Sequence, residues 1–407
     1  MIDQNIPLSK RTSVPASIWA IGIASFLINV SSVIVFGLSA VYMKTILGVA
    51  TGWIGLLEGI VEACAYGIKV FSGVFSDYIK RRKVIMVWGF ALATLARPIL
   101  AISSSFSAVF TSRVLDRIGN GIQSTPRDAL VGDLSPSSIK GTCYGLRQSL
   151  ATAGSLFGGV IGVIAMILTH QDFHLVFWIA AIPAALGLLI LIISVKDAAP
   201  SEASKAQLQR HPIHWSDLPR LGKPYWILMI VAGFFMMARV SEAMLILHAH
   251  QNFGLSETYI PLILILYNGT NSLASYPIGR LSDKMSRYTL LGIGFAVLIL
   301  ADILLASASN IAVMLLGVAV WGIQIGITQS MFLALIADSI PEDLRGTGFG
   351  IFYLISALSL LLAGSIGGGI AQFYSEFMTF TVSGIIGTFA LMVLLILIPF
   401  TKKAAQL

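Results

Sequence analysis

Several ionisable residues of this chain stand inside apolar runs, at spacings that gather them on shared helical faces. Glu58, Glu62, Tyr66 and Lys69 follow one another at intervals of four, four and three, so one helix would carry two carboxylates, a phenol and an amine along one side. Arg113, Asp116 and Arg117 form a second set, and Arg239 with Glu242 a third, followed by His248 and His250. A charge within an apolar span costs about 2.5–3.5 kcal/mol even on the lenient insertion scale, so each needs a partner, water or a task. Two tasks suit these types: carboxylates near guanidinium groups can exchange protons, and guanidinium groups can hold an anion. Glu62 is the expected proton exchanger, with Glu58 and Asp116 beside it, while Arg239 and Glu242 form either a self-satisfied pair on one helix or part of a substrate site. His248 is of a type that titrates near neutrality. His250 points to another helix face, so no shared metal site is expected. No nucleophile–base set or nucleotide motif is present, so neither an enzyme nor a cofactor is expected.

The segments that must position these residues are membrane spans. Of the 407 residues 56% are apolar and only 11% charged, with a mean hydropathy of +0.87. A soluble domain carries roughly 25% charged residues and could not hide that much apolar surface. Runs near the length that crosses a bilayer fall at 17–43, 53–78, 84–102, 106–131, 141–167 and 174–195, then at 225–252, 257–281, 287–306, 310–335, 345–372 and 376–400. That division predicts a first six-helix bundle over 1–197, a tether over 198–223 rich in Ser, Ala, Pro and charge, and a second bundle over 224–407. Basic residues, from Lys10 and Arg11 to Lys402 and Lys403, collect on one side of this arrangement, and the opposite loops carry only Lys44. Both termini are therefore expected in the cytoplasm. The net charge of +7 follows from topology and anionic lipid, without nucleic acid. The polar start leads into a full-length span, so no cleavable signal peptide is expected. Cys64 and Cys143 give no disulfide framework.

The two halves are one design written twice. Ala129–Gly145 (ALVGDLSPSSIKGTCYG) returns as Ala334–Gly350 (ALIADSIPEDLRGTGFG) at an offset of 205, and Gly73–Lys83 (GVFSDYIKRRK) returns as Gly279–Thr289 (GRLSDKMSRYT) at an offset of 206. The shorter motif resembles the loop between the second and third spans of the major facilitator superfamily, Gly-x-Leu-Ala-Asp-Arg-x-Gly-Arg-Arg/Lys. Gly73, Asp77, Arg81 and Arg82 match it in the first half and Gly279, Asp283 and Arg287 in the second, with Lys80 and Ser286 where the family has glycine. The resemblance implies a gate on the cytoplasmic side, in which Asp133 with Lys140 and Asp338 with Arg345 add an acid and a base seven residues apart. Arg113–Gly121 (RVLDRIGNG) is similar to the family's fourth-span pattern, and Gly154–Gly162 (GSLFGGVIG) to its antiporter motif with Gly159 in the proline position. In that family spans one, four, seven and ten line the cavity, which assigns Asn29, Arg113, Asp116, Arg117, Arg239, Glu242, Trp321, Gln324 and Gln329 to candidate substrate contacts.

Charge is not repeated with the scaffold. At the same offsets Glu58 becomes Leu264, Glu62 becomes Asn268, Lys69 becomes Ser275, Arg117 becomes Gly322 and Arg147 becomes Phe352. A feature kept in one half cannot be required by the fold of a six-helix repeat, which makes it a functional candidate. The expectation is an all-α membrane protein with twelve transmembrane helices in two pseudo-symmetric bundles. It is expected to act as a monomeric secondary transporter in a bacterial inner membrane, moving a small, anionic or carboxylate-bearing organic solute by proton-coupled alternating access. A pump for amphipathic drugs and a non-transporting receptor or scaffold on the same fold are the alternatives.

Overall fold

The computed structural model describes residues 13–79, 81–136, 139–197, 215–281, 285–341 and 344–404, and within them the side chains at 73–79, 140–141, 215–217, 276, 279–280, 330, 337, 345–346 and 397–404 are left out of the description. Among the described residues there are thirteen α-helices. In chain order they are α1 (Ala16–Thr45), α2 (Thr51–Ile79), α3 (Arg82–Ala101), α4 (Phe106–Leu134), α5 (Lys140–Leu168), α6 (Phe173–Ser194), α7 (Lys223–Ala238), α8 (Glu242–Phe253), α9 (Pro261–Leu281), α10 (Arg287–Ala306), α11 (Ile311–Ser339), α12 (Arg345–Phe373) and α13 (Glu376–Ala404). The thirteenth arises because the seventh expected span is broken: Arg239, Val240 and Ser241 leave the helix, and α8 restarts behind Ser241, whose hydroxyl accepts from the Ala243 N–H at 3.1 Å.

Nine spans among the described residues, counting α7 with α8 as one, are long and apolar enough to cross a membrane. The other three are α2, α4 and α9. α2 and α4 carry the ionisable sets described above, and their charge, not their length, removes them from an apolar criterion. The duplication reaches the local chemistry of the helix starts. Ser105 caps α4 by accepting from the Ala108 N–H at 3.4 Å, and its counterpart Asn310 caps α11 by accepting from the Val313 N–H at 3.0 Å. Each cap satisfies a backbone donor that helix geometry leaves without a partner.

The end where α1 begins is termed the basic face, since Arg81, Arg82, Lys83, Lys223 and Arg287 lie there, and the opposite end the far face. Across the far face the halves meet with almost no side chains between them. A methyl group built on Gly364 of α12 would lie 2.6 Å from backbone atoms of Gly55 and Gly59 of α2. The Gly52 N–H donates to Gln372 Oε1 at 3.0 Å. On the other flank Gly159 and Gly162 of α5 receive Pro261 and Ile265 of α9, while Gly154 and Gly158 back onto Phe26 and Val30 of α1. The glycines that resemble the antiporter motif are thus a packing surface for both halves. Gly119 serves likewise between α4 and α3, where its added methyl would meet the Gly89 carbonyl at 2.5 Å. Toward the basic face the halves part around a crevice of about 660 Å³ between α1 and α5 on one side and α9 and α11 on the other.

Candidate functional site

The ionisable residues of α2 and α4 resolve into two groups with different surroundings. Arg113 Nη2 donates to both carboxylate oxygens of Glu58, at 2.7 and 2.9 Å, and both side chains are only 1% exposed. The Arg113 guanidinium also lies 4.8 Å from the ring centre of Phe36 in α1. Arg97 of α3 reaches Asp116 at 2.8 Å and donates to Ser31 and Ser32 of α1 at 2.8 and 2.9 Å. Arg97 is the one the sequence reasoning passed over. It was legible there as an ionisable residue within the 84–102 run, standing directly before Pro98.

Asp116 sits between two guanidinium groups, since Arg117 approaches it at 3.2 Å. Arg117 also lies 3.8 Å from Glu62, and here the surroundings open: Glu62 is 30% exposed and Arg117 16%. Of the residues expected to bind solute or protons on α2 and α4, Glu62 borders the junction of the halves with the partly exposed Arg117 beside it, Glu58 borders the same space but is held by Arg113, and Arg113 and Asp116 are held in buried ion pairs. Arg147, another charge confined to the first half, pairs with Asp128 at 2.9 Å.

The break between α7 and α8 places Arg239 and Glu242 opposite Glu62. Arg239, Glu242, Glu58 and Glu62 line one small cavity of about 40 Å³ at the junction. Arg239 and Glu242 are not the self-satisfied helical pair that their spacing allowed. Arg239 lies outside both helices and has no carboxylate within ion-pair distance among the described residues, and its Nε is buried without a hydrogen-bond partner. Glu242 begins α8, where a helix N-terminus favours a carboxylate, and accepts from the Tyr267 hydroxyl at 3.2 Å. On its other side Arg239 lines a cavity of about 90 Å³ with Tyr66, Lys69, Gln329 and Tyr353, and this wall contains two cations and no acid. The Lys69 ammonium stands 4.6 Å over the Tyr66 ring. Tyr267 and Tyr353 carry no signal in a single sequence, because a tyrosine in a span is equally at home against lipid.

The remaining expected positions divide similarly. Asn29 lines the crevice that opens to the basic face. Trp321 and Gln324 are fully buried, Trp321 against Tyr267 with ring centres 5.4 Å apart and Gln324 donating to Thr328 at 3.0 Å. Gly73, Asp77, Lys140, Gly279, Asp283 and Arg345 lie outside the described side chains, and Arg81 is exposed at the start of α3. The described partners of the gate acids are the arginines of the repeated loop motif. Asp133 pairs with Arg82 at 3.1 Å and Asp338 with Arg287, so in each half the acid at the end of one helix meets the arginine that opens another. Both pairs lie within a half. His248 is enclosed by Phe253, Phe377 and Phe380 and takes a contact from Asn252 at 3.1 Å, while His250 contacts the Leu255 carbonyl. Asp302, which no sequence argument explained, bridges α10 to the broken span: Ser383 of α13 meets Asp302 Oδ2 at 2.6 Å and also the Ala238 carbonyl that ends α7.

The family model for the Major Facilitator Superfamily matches residues 21–247 and again 227–407. The chain belongs to that superfamily. It is therefore a membrane transporter by family, built on the twelve-span fold. It is similar to an uncharacterised MFS-type transporter of Methanocaldococcus jannaschii, MJ1317, with 26% identity over 93% of this chain and 94% of that one. It is also similar to the multidrug resistance protein MdtH of Photorhabdus laumondii, with 25% identity over 62% of this chain and 61% of the relative. In fold it matches the crystal structure of a POT family transporter in complex with 5-aminolevulinic acid, with a TM-score of 0.79 at 15% identity over 98% of both chains. Within this superfamily architecture the cavities around Arg239 occupy the junction of the two halves, where a substrate site is expected.

Proposed function

We propose that this chain is a proton-coupled secondary transporter for a small organic anion, carboxylate-bearing, working as a monomer in a bacterial inner membrane with its basic face in the cytoplasm. The observation that carries the reading is Arg239: a half-buried guanidinium at the junction of the halves, without a carboxylate partner among the described residues, sharing an acid-free wall with Lys69. A cation held in that way is matched by an anionic group entering from the open crevice. With the far face shut and the basic face open, the structure corresponds in this reading to the inward-facing state.

Glu62 and Glu242 line the cavity on the other side of Arg239. Protonating either removes a negative charge that competes with the solute for that guanidinium, so proton binding and anion binding support each other, and by linkage the support is mutual. Glu62 is the proton exchanger of choice, because its contact with Arg117 is long and its carboxylate is partly open to the junction. Rocking of the halves would change both conditions. The gate pairs Arg82–Asp133 and Arg287–Asp338 are the parts that would rearrange on the basic face.

The similarity to MdtH favours a second reading, export of amphipathic drugs. One experiment separates the two: proteoliposomes and detergent-purified protein are screened against small organic anions and lipophilic cations, with Arg239→Gln and Glu62→Gln alongside. The anion reading expects anions alone to raise the melting point of the wild type, no such rise in Arg239→Gln, and loss of pH-gradient dependence in Glu62→Gln. Stabilisation by lipophilic cations that survives in Arg239→Gln would overturn it.

A further inference from the structure

The crevice beside the Arg239 cavity has walls of a different chemistry from the site itself. Its described lining contains no charged residue, and ten of its fourteen residues are amides or hydroxyls, among them Asn29, Gln148, Asn268 and Asn271. Much of its hydrogen-bond donating capacity is turned back into the helices. Asn29 donates to the Ser25 carbonyl at 2.7 Å and Asn268 to the Leu264 carbonyl at 2.8 Å. Each bond fixes the amide, because the reverse orientation would set two carbonyl oxygens together. Asn29 and Asn268 are then each left with a free Oδ1 acceptor and one remaining N–H, one amide on each half. Ser155 and Ser275 behave alike, turning their hydroxyl protons onto the Ala151 and Asn271 carbonyls at 3.4 and 2.8 Å. Free amide oxygens and N–H groups facing one another across a crevice call for a ligand whose groups both donate and accept, as hydroxyls do.

We propose that the transported anion carries a hydroxylated body, in the class of hydroxy acids and sugar acids. This rests on the anion reading given above and adds to it. The acidic head goes to the cavity of Arg239 and Lys69, and the body lies back along the crevice. Gln329 lines both spaces, so the two lie side by side with this one amide between them. Hydroxyl groups suit the wall better than ammonium groups, since an ammonium would meet no carboxylate anywhere along that lining. A plain alkyl chain would strip water from these amides and return nothing, which costs affinity for every polar group left without a partner. The crevice volume of about 660 Å³ accommodates a body of six or more heavy atoms without closing the path.

The test is calorimetric titration of the detergent-purified wild type with matched acids: gluconate against hexanoate and glucuronate against cyclohexanecarboxylate, with sorbitol and glucose as neutral controls. The hydroxylated acid of at least one pair is expected to bind about tenfold or more tightly than its plain partner. Asn29→Leu and Asn268→Leu should each weaken that acid about fivefold, the effect of one net hydrogen bond, while leaving the plain acid unchanged. Equal binding of the two acids in both pairs overturns the hydroxylated body and leaves the anion reading standing. Sorbitol or glucose binding as tightly as the acids overturns the anionic head instead. Silence from all six probes counts against both.

Discussion

Substituting Gly364 should shift the protein out of the conformation seen here, and the size of the shift follows from the α2–α12 contact. The added methyl of Gly364→Ala would stand 2.6 Å from the Gly55 carbonyl and from the Gly59 N and Cα, where ordinary contact begins at 3.4 Å. All three obstacles are backbone, so no side chain can rotate away. The helices must part by up to ~0.8 Å at the place that seals the far face. Overpacking of this kind costs about 1–3 kcal/mol, and the cost falls on the far-closed state alone, because any far-open state separates α2 from α12. That corresponds to a change of about 5–150-fold in the ratio of the two states. The assay uses a single reporter, Ser272→Cys, on the exposed wall of the basic-face crevice, in a background carrying Cys64→Ala and Cys143→Ala. A membrane-impermeant maleimide presented to that face should label the reporter more slowly in Gly364→Ala. Gly369→Ala, on the same helix with open space around its added methyl, is the control and should label at the starting rate. Unchanged labelling in folded Gly364→Ala would show that the glycine contact does not hold the far face shut.

Glu58→Gln should lower the melting temperature in detergent markedly, since it leaves the buried Arg113 guanidinium uncompensated at a cost of about 3–5 kcal/mol. The double variant Glu58→Met with Arg113→Met should recover most of that loss, and a normal melting temperature with impaired transport in Arg113→Met would instead assign Arg113 to the solute. Asp302→Asn should melt close to the wild type because a carboxamide keeps the contact with Ser383, whereas Asp302→Leu removes it and should cost about 1–3 kcal/mol in thermal unfolding.

The ionisable sets on α2 and α4 show how far one sequence carries a site. Their presence in spans, their facing sides and their absence from the second half were all readable, because helical spacing and the duplication are properties of order along the chain. Which charge meets which was not. Arg113 and Arg117 share a face at a spacing of four, yet one is sealed against Glu58 and the other stays partly exposed between Asp116 and Glu62, a difference set by how α2, α3 and α4 pack. Arg97 supplies the partner of Asp116 from a third helix, so Asp116 could not be assigned from its own segment. At the gate, the repeated motif marked its arginines and acids as partners across spans, but only packing shows that Arg82 meets Asp133 and Arg287 meets Asp338.

Order along the chain by itself determined the class, the twelve apolar or semi-apolar segments, their duplication and the side on which the basic residues gather, since hydropathy, charge bias and repetition need no partner to be expressed. Only the tertiary arrangement decided that the seventh span breaks at Arg239, that this guanidinium has no ion-pair partner among the described residues while Arg113 has Glu58, and that an uncharged polar crevice lies beside its cavity. Those features depend on distances between helices that are far apart in sequence. A residue's burial and its partners are fixed by whichever neighbours packing delivers.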